Sequence, residues 1–277
     1  MSTIIDSILQ KVTHAFSSLD CIEGIVLGGS RATGTFNKDS DIDIGLYYQP
    51  HCIDYELLND IASLLDDQKR DSLIGKEGDW GQWVNFGAWL QIDGHAVDLI
   101  FRDIGRVENI IDQTNAGIFS NNYHVGHPHA YLSYMYRGEL ATCNILYSKN
   151  QQFNDLKTIA QQYPDNLQAS IIQFYLFEAD FSLKLAKKAK LSGDQYYLNG
   201  LIFRVVSALN QVIFAKNKIY FLNEKNAVLR IDSFEFAPSM YQVRINEVFE
   251  KLYEKEPVSF KILEELSADV QNLISFY

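Results

Sequence analysis

The feature that most constrains this chain is a glycine turn followed by two alternating carboxylates. The turn is Gly28-Gly29-Ser30, at the end of a short apolar run, and the carboxylates are Asp41 and Asp43, at the start of another. The pattern predicts a strand, then a tight turn with a helix start, and then a second strand. Because side chains alternate faces along a strand, Asp41 and Asp43 project on one face and their apolar neighbours on the other.

The residue types in this stretch suit a metal ion and a phosphate. Two adjacent carboxylates repel each other unless a cation lies between them, and their hard oxygens suit Mg²⁺ completed by water and substrate phosphates. Gly28 and Gly29 can adopt backbone angles that are closed to other residues, so the chain can approach a phosphate closely. A helix starting near Ser30 would direct N–H groups at that phosphate. Arg31 either reaches a phosphate as well or pairs with Asp39.

A third carboxylate lies on a predicted hairpin. Two strand-like runs are joined by Asp93-Gly94, a strong hairpin signal. In the second run Asp98 lies on the face opposite the apolar one, and a carboxylate among apolar neighbours needs a partner. If this strand pairs beside that of the first two carboxylates, the three converge and can hold two metal ions about 3.5–4 Å apart. The alternative for Asp98 is a structural role, bonded to the backbone or to Arg102.

The character of the chain changes near residue 123. Beyond it strand signals become sparse and helical periodicity dominates. We therefore predict an α+β fold: residues 1–122 form a mixed β-sheet with flanking helices, and residues 123–277 form an all-α helical bundle. The predicted helices of the second part are 129–137, 153–162, 167–189, 195–216, 240–254 and 259–275.

The segment GGSRATG, followed by SDIDIGLYY, resembles the signature of the DNA polymerase β-type nucleotidyltransferase superfamily. Asp98, in VDLIF, is similar to the third carboxylate of that family, and the resemblance covers residues 20 to 102. The two-part layout also resembles small-molecule antibiotic nucleotidyltransferases of the aminoglycoside and lincosamide type. The resemblance implies transfer of a nucleoside monophosphate from an NTP to a hydroxyl, with Mg²⁺ and release of pyrophosphate. AMP from ATP is the transfer that the resemblance favours, and antibiotic modification is one option among several.

The resemblance extends to residues with named roles. Asp41 and Asp43 would bind Mg²⁺ ions that bridge the triphosphate, and Asp98 would help to hold the second ion. Related antibiotic enzymes use a carboxylate of the helical domain as general base toward the acceptor, and Glu178, in a very apolar helix, is the corresponding candidate. The alternative for Glu178 is a structural pair, for example with Arg204.

Other polar and aromatic residues have two interpretations each. Lys225 is a candidate for binding the triphosphate, and the alternative is a helix-end salt bridge with Glu224. The three tryptophans before and on the first hairpin strand either pack in the core or stack on a nucleobase; these are Trp80, Trp83 and Trp89. The three histidines near the boundary favour a linker over a metal site, because no cysteine or carboxylate completes the set; these are His124, His127 and His129.

Net charge and the distribution of apolar residues limit the kinds of partner that we expect this chain to bind. The net charge of −11 disfavours an extended nucleic acid and would attract a small cationic acceptor, whereas an NTP can still be held through Mg²⁺. No run of about 18 apolar residues predicts a membrane span, and the first residues lack signal-peptide features, so we expect a cytoplasmic protein. An antitoxin-like or regulatory nucleotidyltransferase that modifies or binds a partner protein is the alternative function. The sequence does not specify the acceptor or the oligomeric state.

Overall fold

The computed structural model describes residues 3–254 and 258–275. They form two compact units. The first contains the residues up to Gln113 together with Leu132–Gln162, and the second contains Thr114–Tyr131 and the residues from Tyr163 onward. Each unit is built around its own buried apolar side chains.

The elements are numbered in chain order. The strands are β1 (Ile22–Leu27), β2 (Ile42–Tyr48), β3 (Phe86–Ile92), β4 (His95–Asp103), β5 (Asn121–Asn122), β6 (Tyr131–Leu132) and β7 (Asn144–Ser148). The helices are α1 (Ile4–Ser17), α2 (Gly29–Thr33), α3 (Tyr55–Leu65), α4 (Gly81–Val84), α5 (Ile104–Asn115), α6 (Met135–Thr142), α7 (Gln151–Gln161), α8 (Asp165–Ser192), α9 (Gln195–Lys216), α10 (Ala227–Ile231), α11 (Tyr241–Glu250) and α12 (Val258–Ser275).

The first unit contains a five-stranded sheet in the order β3-β4-β2-β1-β7. It is mixed, because β2 and β4 run parallel whereas the other neighbouring pairs are antiparallel. With this sheet, its flanking helices and the helical region that follows, the predicted α+β fold is confirmed. The predicted sequence of strand, turn, helix start and strand is also present as β1, α2 and β2.

One face of this sheet is covered by helices. Helix α1 begins with a capping box, in which Thr3 and Asp6 bond reciprocally to each other's backbone N–H groups. Its stripe of Ile8, Val12 and Phe16 is buried against the apolar side chains of β2 and β4. These apolar side chains alternate with the carboxylates, so burying them leaves the carboxylates on the opposite face.

The opposite face is covered at one end by α7. Gly24 of β1 has no side chain, and a Cβ there would overlap the ring of Phe153 from α7. The same ring packs edge-on against Tyr47 of β2, with ring centroids 5.0 Å apart. Strand β7 and α7 were not predicted to contribute to a sheet unit, since the sequence analysis expected helices only in this part of the chain.

Buried Arg137 fixes the end of α7. Its guanidinium donates to the backbone carbonyls of Ile111, Ile159, Ala160 and Gln162, at 2.7–3.4 Å. A helix leaves its last carbonyls without partners inside the helix, so a charged donor at this end is favourable. Arg137 is 1% exposed, and it therefore acts as an internal cap.

The second unit is dominated by α8 and α9, which pack along each other. Helix α9 has the predicted bounds, whereas the helix predicted over residues 129–137 begins only at Met135, because the preceding residues form the short strand β6.

By length and apolar composition α9 could cross a membrane, and the sequence analysis predicted no such helix. Its apolar stretch is 78% buried within the part of the chain that the structure describes, as in the core helix of many globular proteins.

Candidate active site

The central relationship of the site is the pairing of Asp43 with Asp98. The two residues are Cα partners across the parallel pair β2–β4. Neighbouring strands lie about 4.8 Å apart, and paired residues point to the same face. The strand arrangement on which the convergence of carboxylates depended is therefore present. Asp41 lies one residue before β2 and is exposed, whereas Asp43 and Asp98 are half-buried.

The electrostatics of this cluster are those of carboxylates held together. Burial, followed by the negative charges of Asp43 and Asp41, raises the pKa of Asp98 to about 6. Both causes disfavour the charged form of Asp98. A cation bound beside Asp98 would reverse this effect, and carboxylate oxygens are the ligands that Mg²⁺ prefers.

The glycine turn lies directly against these carboxylates. The backbone N–H of Gly28 donates to the Asp43 carbonyl at 2.8 Å, which ties the start of α2 to β2. Gly29 has φ +59°, in the left-handed region, and a Cβ there would overlap a carboxylate oxygen of Asp43. Ser30 follows in the first turn of α2, which is one short helix of five residues. Glycine at position 29 is thus required by both backbone angle and space.

Arg31 stabilises the loop that leads into β2. Its guanidinium donates to the backbone carbonyls of Ser40, at 2.5 Å, and Asp41, at 3.0 Å, and lies over the ring of Phe36. The suggested pairing with Asp39 is absent, because Arg31 bonds to these carbonyls. Arg31 therefore positions Asp41, and its other donors remain available for the predicted role in binding a phosphate.

The carboxylates fit a divalent cation only with help from a substrate. Among residues 3–254 and 258–275, no three His, Cys, Asp or Glu side chains already form a metal-binding group. The facing pair Asp43 and Asp98, with Asp41 next to it, supplies the hard oxygens, and the pKa of Asp98 is raised first by burial and then by the charges of the other two carboxylates. Phosphate oxygens and water would have to complete the coordination, as is usual for Mg²⁺.

One of the three tryptophans lies beside the carboxylates, on the next strand of the sheet. Trp89 of β3 is the antiparallel Cα partner of Asp98, so its indole shares the face of the carboxylates. Trp89 is 63% exposed and stacks on Trp80, whereas Trp83 packs against Tyr136 and beneath Arg106. From the sequence, each of the three tryptophans could pack in the core or stack on a nucleobase. Only the strand register separates Trp89 from Trp80 and Trp83.

In the second unit, Glu178 is the centre of a polar group. It lies on α8, is 8% exposed, and accepts hydrogen bonds from Arg204 Nε at 2.6 Å and pairs with His129 Nε2 at 3.0 Å. The predicted pair with Arg204 is present, and the partner His129 was not foreseen. Glu178 and Arg204 also line a groove of about 940 Å³ between α8 and α9, with Phe177 and Phe181 among its aromatic residues.

The remaining predicted residues lie in loops of the second unit. Lys225 is exposed, in a segment after α9 and not at its end, because α9 stops at Lys216. The suggested salt bridge with Glu224 is not formed. Glu224 instead accepts from the backbone N–H of His129 and lies 3.7 Å from His127 Nδ1. These histidines thus pair with carboxylates one by one, and they gather no metal-binding group within the described residues.

A comparison with known protein families finds a match for the part of the chain that carries the three carboxylates. Residues 5–119, less than half of the chain, match the model of the family described as "Nucleotidyltransferase domain". This part of the chain is similar to nucleotidyltransferase domains, and the match supports a transferase. The match includes the glycine turn and all three carboxylates. No curated protein matches the sequence significantly.

The chain resembles solved structures only weakly, as three of them illustrate. A nucleotidyltransferase-like protein from Exiguobacterium sibiricum is 7% identical, with a TM-score of 0.47 over 98% of this chain and 74% of that one. A CdnE cyclic dinucleotide synthase from Elizabethkingia meningoseptica, with GTP and Apcpp, is 12% identical, with a TM-score of 0.27 over 99% and 91%. A CdnC:HORMA-deltaN complex from E. coli MS115-1 is also 12% identical, with a TM-score of 0.22 over 95% and 88%. Similarities of this size assign no substrate.

Proposed function

We propose that this protein is a Mg²⁺-dependent nucleotidyltransferase that moves a nucleoside monophosphate from an NTP to a hydroxyl of a small molecule, releasing pyrophosphate. The single observation that carries the proposal is the pairing of Asp43 with Asp98 beside Gly29. Carboxylates and a close glycine backbone are the two parts that a metal-bound triphosphate needs. ATP is the proposed donor, and antibiotics are one class of acceptor to be tested.

Each residue of the cluster has a proposed task. Asp41, Asp43 and Asp98 hold the divalent ions, which neutralise phosphate charge and lower the barrier to transfer when bound. Gly28, Gly29 and Ser30 direct backbone and hydroxyl donors at the phosphates. The donors of the turn would hold the phosphates in line for attack beside the carboxylates, so catalysis would depend mainly on positioning and charge neutralisation.

The second unit has two proposed contributions. Glu178 takes the proton of the acceptor hydroxyl, for which it must release one of its present partners, Arg204 or His129. Lys225, which is exposed, binds the triphosphate. The groove beside Glu178 is large enough for a small molecule, since ligand pockets commonly measure about 300–1,000 Å³.

A screen tests the proposal directly. The protein is incubated with Mg²⁺, each NTP in turn and a panel of hydroxylated small molecules, and pyrophosphate release is measured. We expect release that depends on both an NTP and an acceptor, and that EDTA abolishes. Mass spectrometry should find the acceptor heavier by one nucleotidyl group, which is one nucleoside monophosphate minus water.

A matched pair of variants assigns the chemistry to the cluster. Asp43→Asn should reduce turnover by at least about 10³-fold while leaving the folded state intact, because it removes a ligand charge. Asp39→Asn makes the same change at an exposed position of the preceding loop and should retain activity. Full transfer by Asp43→Asn, or modification of a partner protein and no small molecule, would overturn the proposal.

A further inference from the structure

The groove between α8 and α9 has an aromatic wall on its α8 side. The groove measures about 940 Å³, and its lining residues all belong to the second unit. Phe177 and Phe181, about one turn apart on α8, have ring centroids 5.8 Å apart and planes inclined by only 11°, so the two rings form one flat surface. The two residues are 69% and 51% exposed. Exposed apolar surface that lines a groove is typical of a ligand site, and flat rings favour a ligand with a flat apolar face.

Gly200, on the α9 side of the same groove, leaves space that nothing in the protein uses. It lies in the interior of α9, where glycine is less favourable than alanine. A Cβ at Gly200 would meet nothing within 4 Å of the described structure, and its φ lies outside the left-handed region. Neither packing nor backbone angle therefore requires glycine at this position. Because Gly200 lines the groove, the space that its missing side chain leaves is available to an occupant of the groove.

The charges beside the groove disfavour a cationic ligand. Among the described residues that line it, Glu178 is the one carboxylate and Arg204 the one guanidinium, and they pair with each other at 2.6 Å. The Glu178 side chain is 9% exposed and that of Arg204 is 55% exposed, so the accessible charge is positive. An ammonium group would be repelled there even though the chain as a whole carries a net charge of −11. An uncharged ligand avoids this repulsion.

We propose that the groove binds an uncharged acceptor whose hydroxyl is attached to a flat aromatic ring, with the ring between Gly200 and the surface of Phe177 and Phe181. The inference rests on the proposed function, since it names the acceptor class for the groove beside Glu178. A phenolic hydroxyl, with a pKa of about 10 as in tyrosine, gives its proton to a carboxylate more readily than an alkyl hydroxyl does. In the transfer its oxygen bonds to the α-phosphorus of the NTP, the bond from that phosphorus to pyrophosphate breaks, and the proton passes to Glu178.

A binding experiment without NTP or metal tests the ligand class apart from the reaction. One pair of probes is 6-ethyl-2-naphthol and 6-(aminomethyl)-2-naphthol, which have the same size and differ in an ammonium group. The other pair is 2-naphthol and decahydro-2-naphthol, which differ in whether the rings are flat. Isothermal titration calorimetry should give the first member of each pair a Kd at least about tenfold lower than the second. Equal affinities within either pair, or no binding of any naphthol, would overturn the proposal.

Variants then locate the bound ring. Gly200→Leu fills the space on the α9 side and should weaken 2-naphthol binding at least about tenfold, and Phe177→Ala should weaken it as well. Gly200→Leu should also raise the midpoint of a urea titration, because leucine favours a helix interior, so that loss of binding is not loss of folding. Gln173→Leu places the same side chain at an exposed position of α8 outside the groove and should bind 2-naphthol as the wild type does. Unchanged binding by Gly200→Leu would place the ring elsewhere, and the proposal would be wrong.

Steady-state kinetics separate the ligand class from the proposed function. With 2-naphthol, ATP and Mg²⁺ we expect pyrophosphate release, and Gly200→Leu should raise KM for 2-naphthol at least about tenfold while KM for ATP stays unchanged. Binding of the naphthols in the groove without transfer to any acceptor would overturn the proposed function and leave the ligand class standing. Transfer to alkyl hydroxyl compounds by a protein that binds no naphthol would overturn the ligand class and leave the proposed function standing.

Discussion

Gly29 lies against the carboxylate of Asp43 so closely that no Cβ fits between them. This contact, together with the hydrogen bond from the Gly28 N–H to the Asp43 carbonyl, joins the proposed phosphate-binding turn to the proposed metal ligand. Any side chain at position 29 must push Asp43 away from Asp98 or open the turn. The geometry of the cluster therefore depends on a residue that supplies no functional group.

Gly29→Ala should reduce transfer activity at least about 100-fold, because it displaces Asp43 and adds strain at a positive φ of +59°. Gly34→Ala is the matched control. Gly34 also has a positive φ, of +73°, but a Cβ there meets nothing within 4 Å. In a denaturant titration Gly34→Ala should lose roughly 1–2 kcal/mol through backbone strain, and Gly29→Ala should lose at least as much because the overlap with Asp43 adds to the strain. Similar loss of activity in both would show that strain, and not the overlap with Asp43, is responsible.

Asp98→Asn should stabilise the metal-free protein at neutral pH while it abolishes transfer. The pKa of Asp98 is raised to about 6, above the unfolded value of about 3.9, so the folded state binds more protons between these values. The free energy of unfolding therefore falls as pH rises from about 4 to about 6. In EDTA at pH 7.5 the variant should be more stable by about 1–2 kcal/mol, a figure reduced for partial solvent exposure.

The pH dependence of this gain is the decisive part. At pH 4 the wild-type carboxyl is protonated in the folded state, so the difference between wild type and Asp98→Asn should disappear. Urea titrations at both pH values measure it. A gain that persists unchanged at pH 4 would mean that its source is neither the burial of the ionised Asp98 carboxylate nor the repulsion from Asp43 and Asp41.

Arg137→Met should destabilise the first unit by about 3 kcal/mol or more, because several buried carbonyls lose their donor at once. Methionine preserves much of the side-chain volume, so the loss reports the hydrogen bonds more than a cavity. Lys11→Met removes an exposed ion pair with Asp93 and should cost less than about 1 kcal/mol. Comparable denaturation midpoints for the two variants would contradict the capping role of Arg137.

Local pattern predicted the elements around the carboxylates well. The predicted strand, turn, helix start and strand are present as β1, α2 and β2, and the Asp93-Gly94 hairpin joins β3 and β4. In these segments the apolar period, the turn residues and the tertiary packing all favour the same structure. The position of Asp98 beside Asp43 also followed from alternation along two strands, once those strands were assumed to be neighbours.

Long-range pairing could not be predicted in the same way. Strand β7 has only five residues and lies between two helices, so its sequence carries a weak periodic signal. Its pairing with β1 is determined by tertiary contacts and not by local sequence. The same applies to Trp89, which is distinguished from Trp83 only by the register of β3 against β4. The contact of His129 with Glu178 joins residues 49 positions apart, and no local pattern indicates it.

Glu178→Gln should lower kcat by about 10²–10⁴-fold if Glu178 accepts the proton of the acceptor hydroxyl, because an amide cannot act as a base at neutral pH. Glutamine keeps the length of the side chain and can still accept a hydrogen bond from Arg204, so KM for the acceptor should change little. Asp180→Asn, two residues along α8, changes an exposed carboxylate paired with Lys184 and should retain full activity. Thermal unfolding of the two variants shows whether the second unit is intact. If Glu178→Gln keeps its kcat but unfolds at a lower temperature than Asp180→Asn, the carboxylate serves to hold Arg204 and His129 in place, and another group must take the proton.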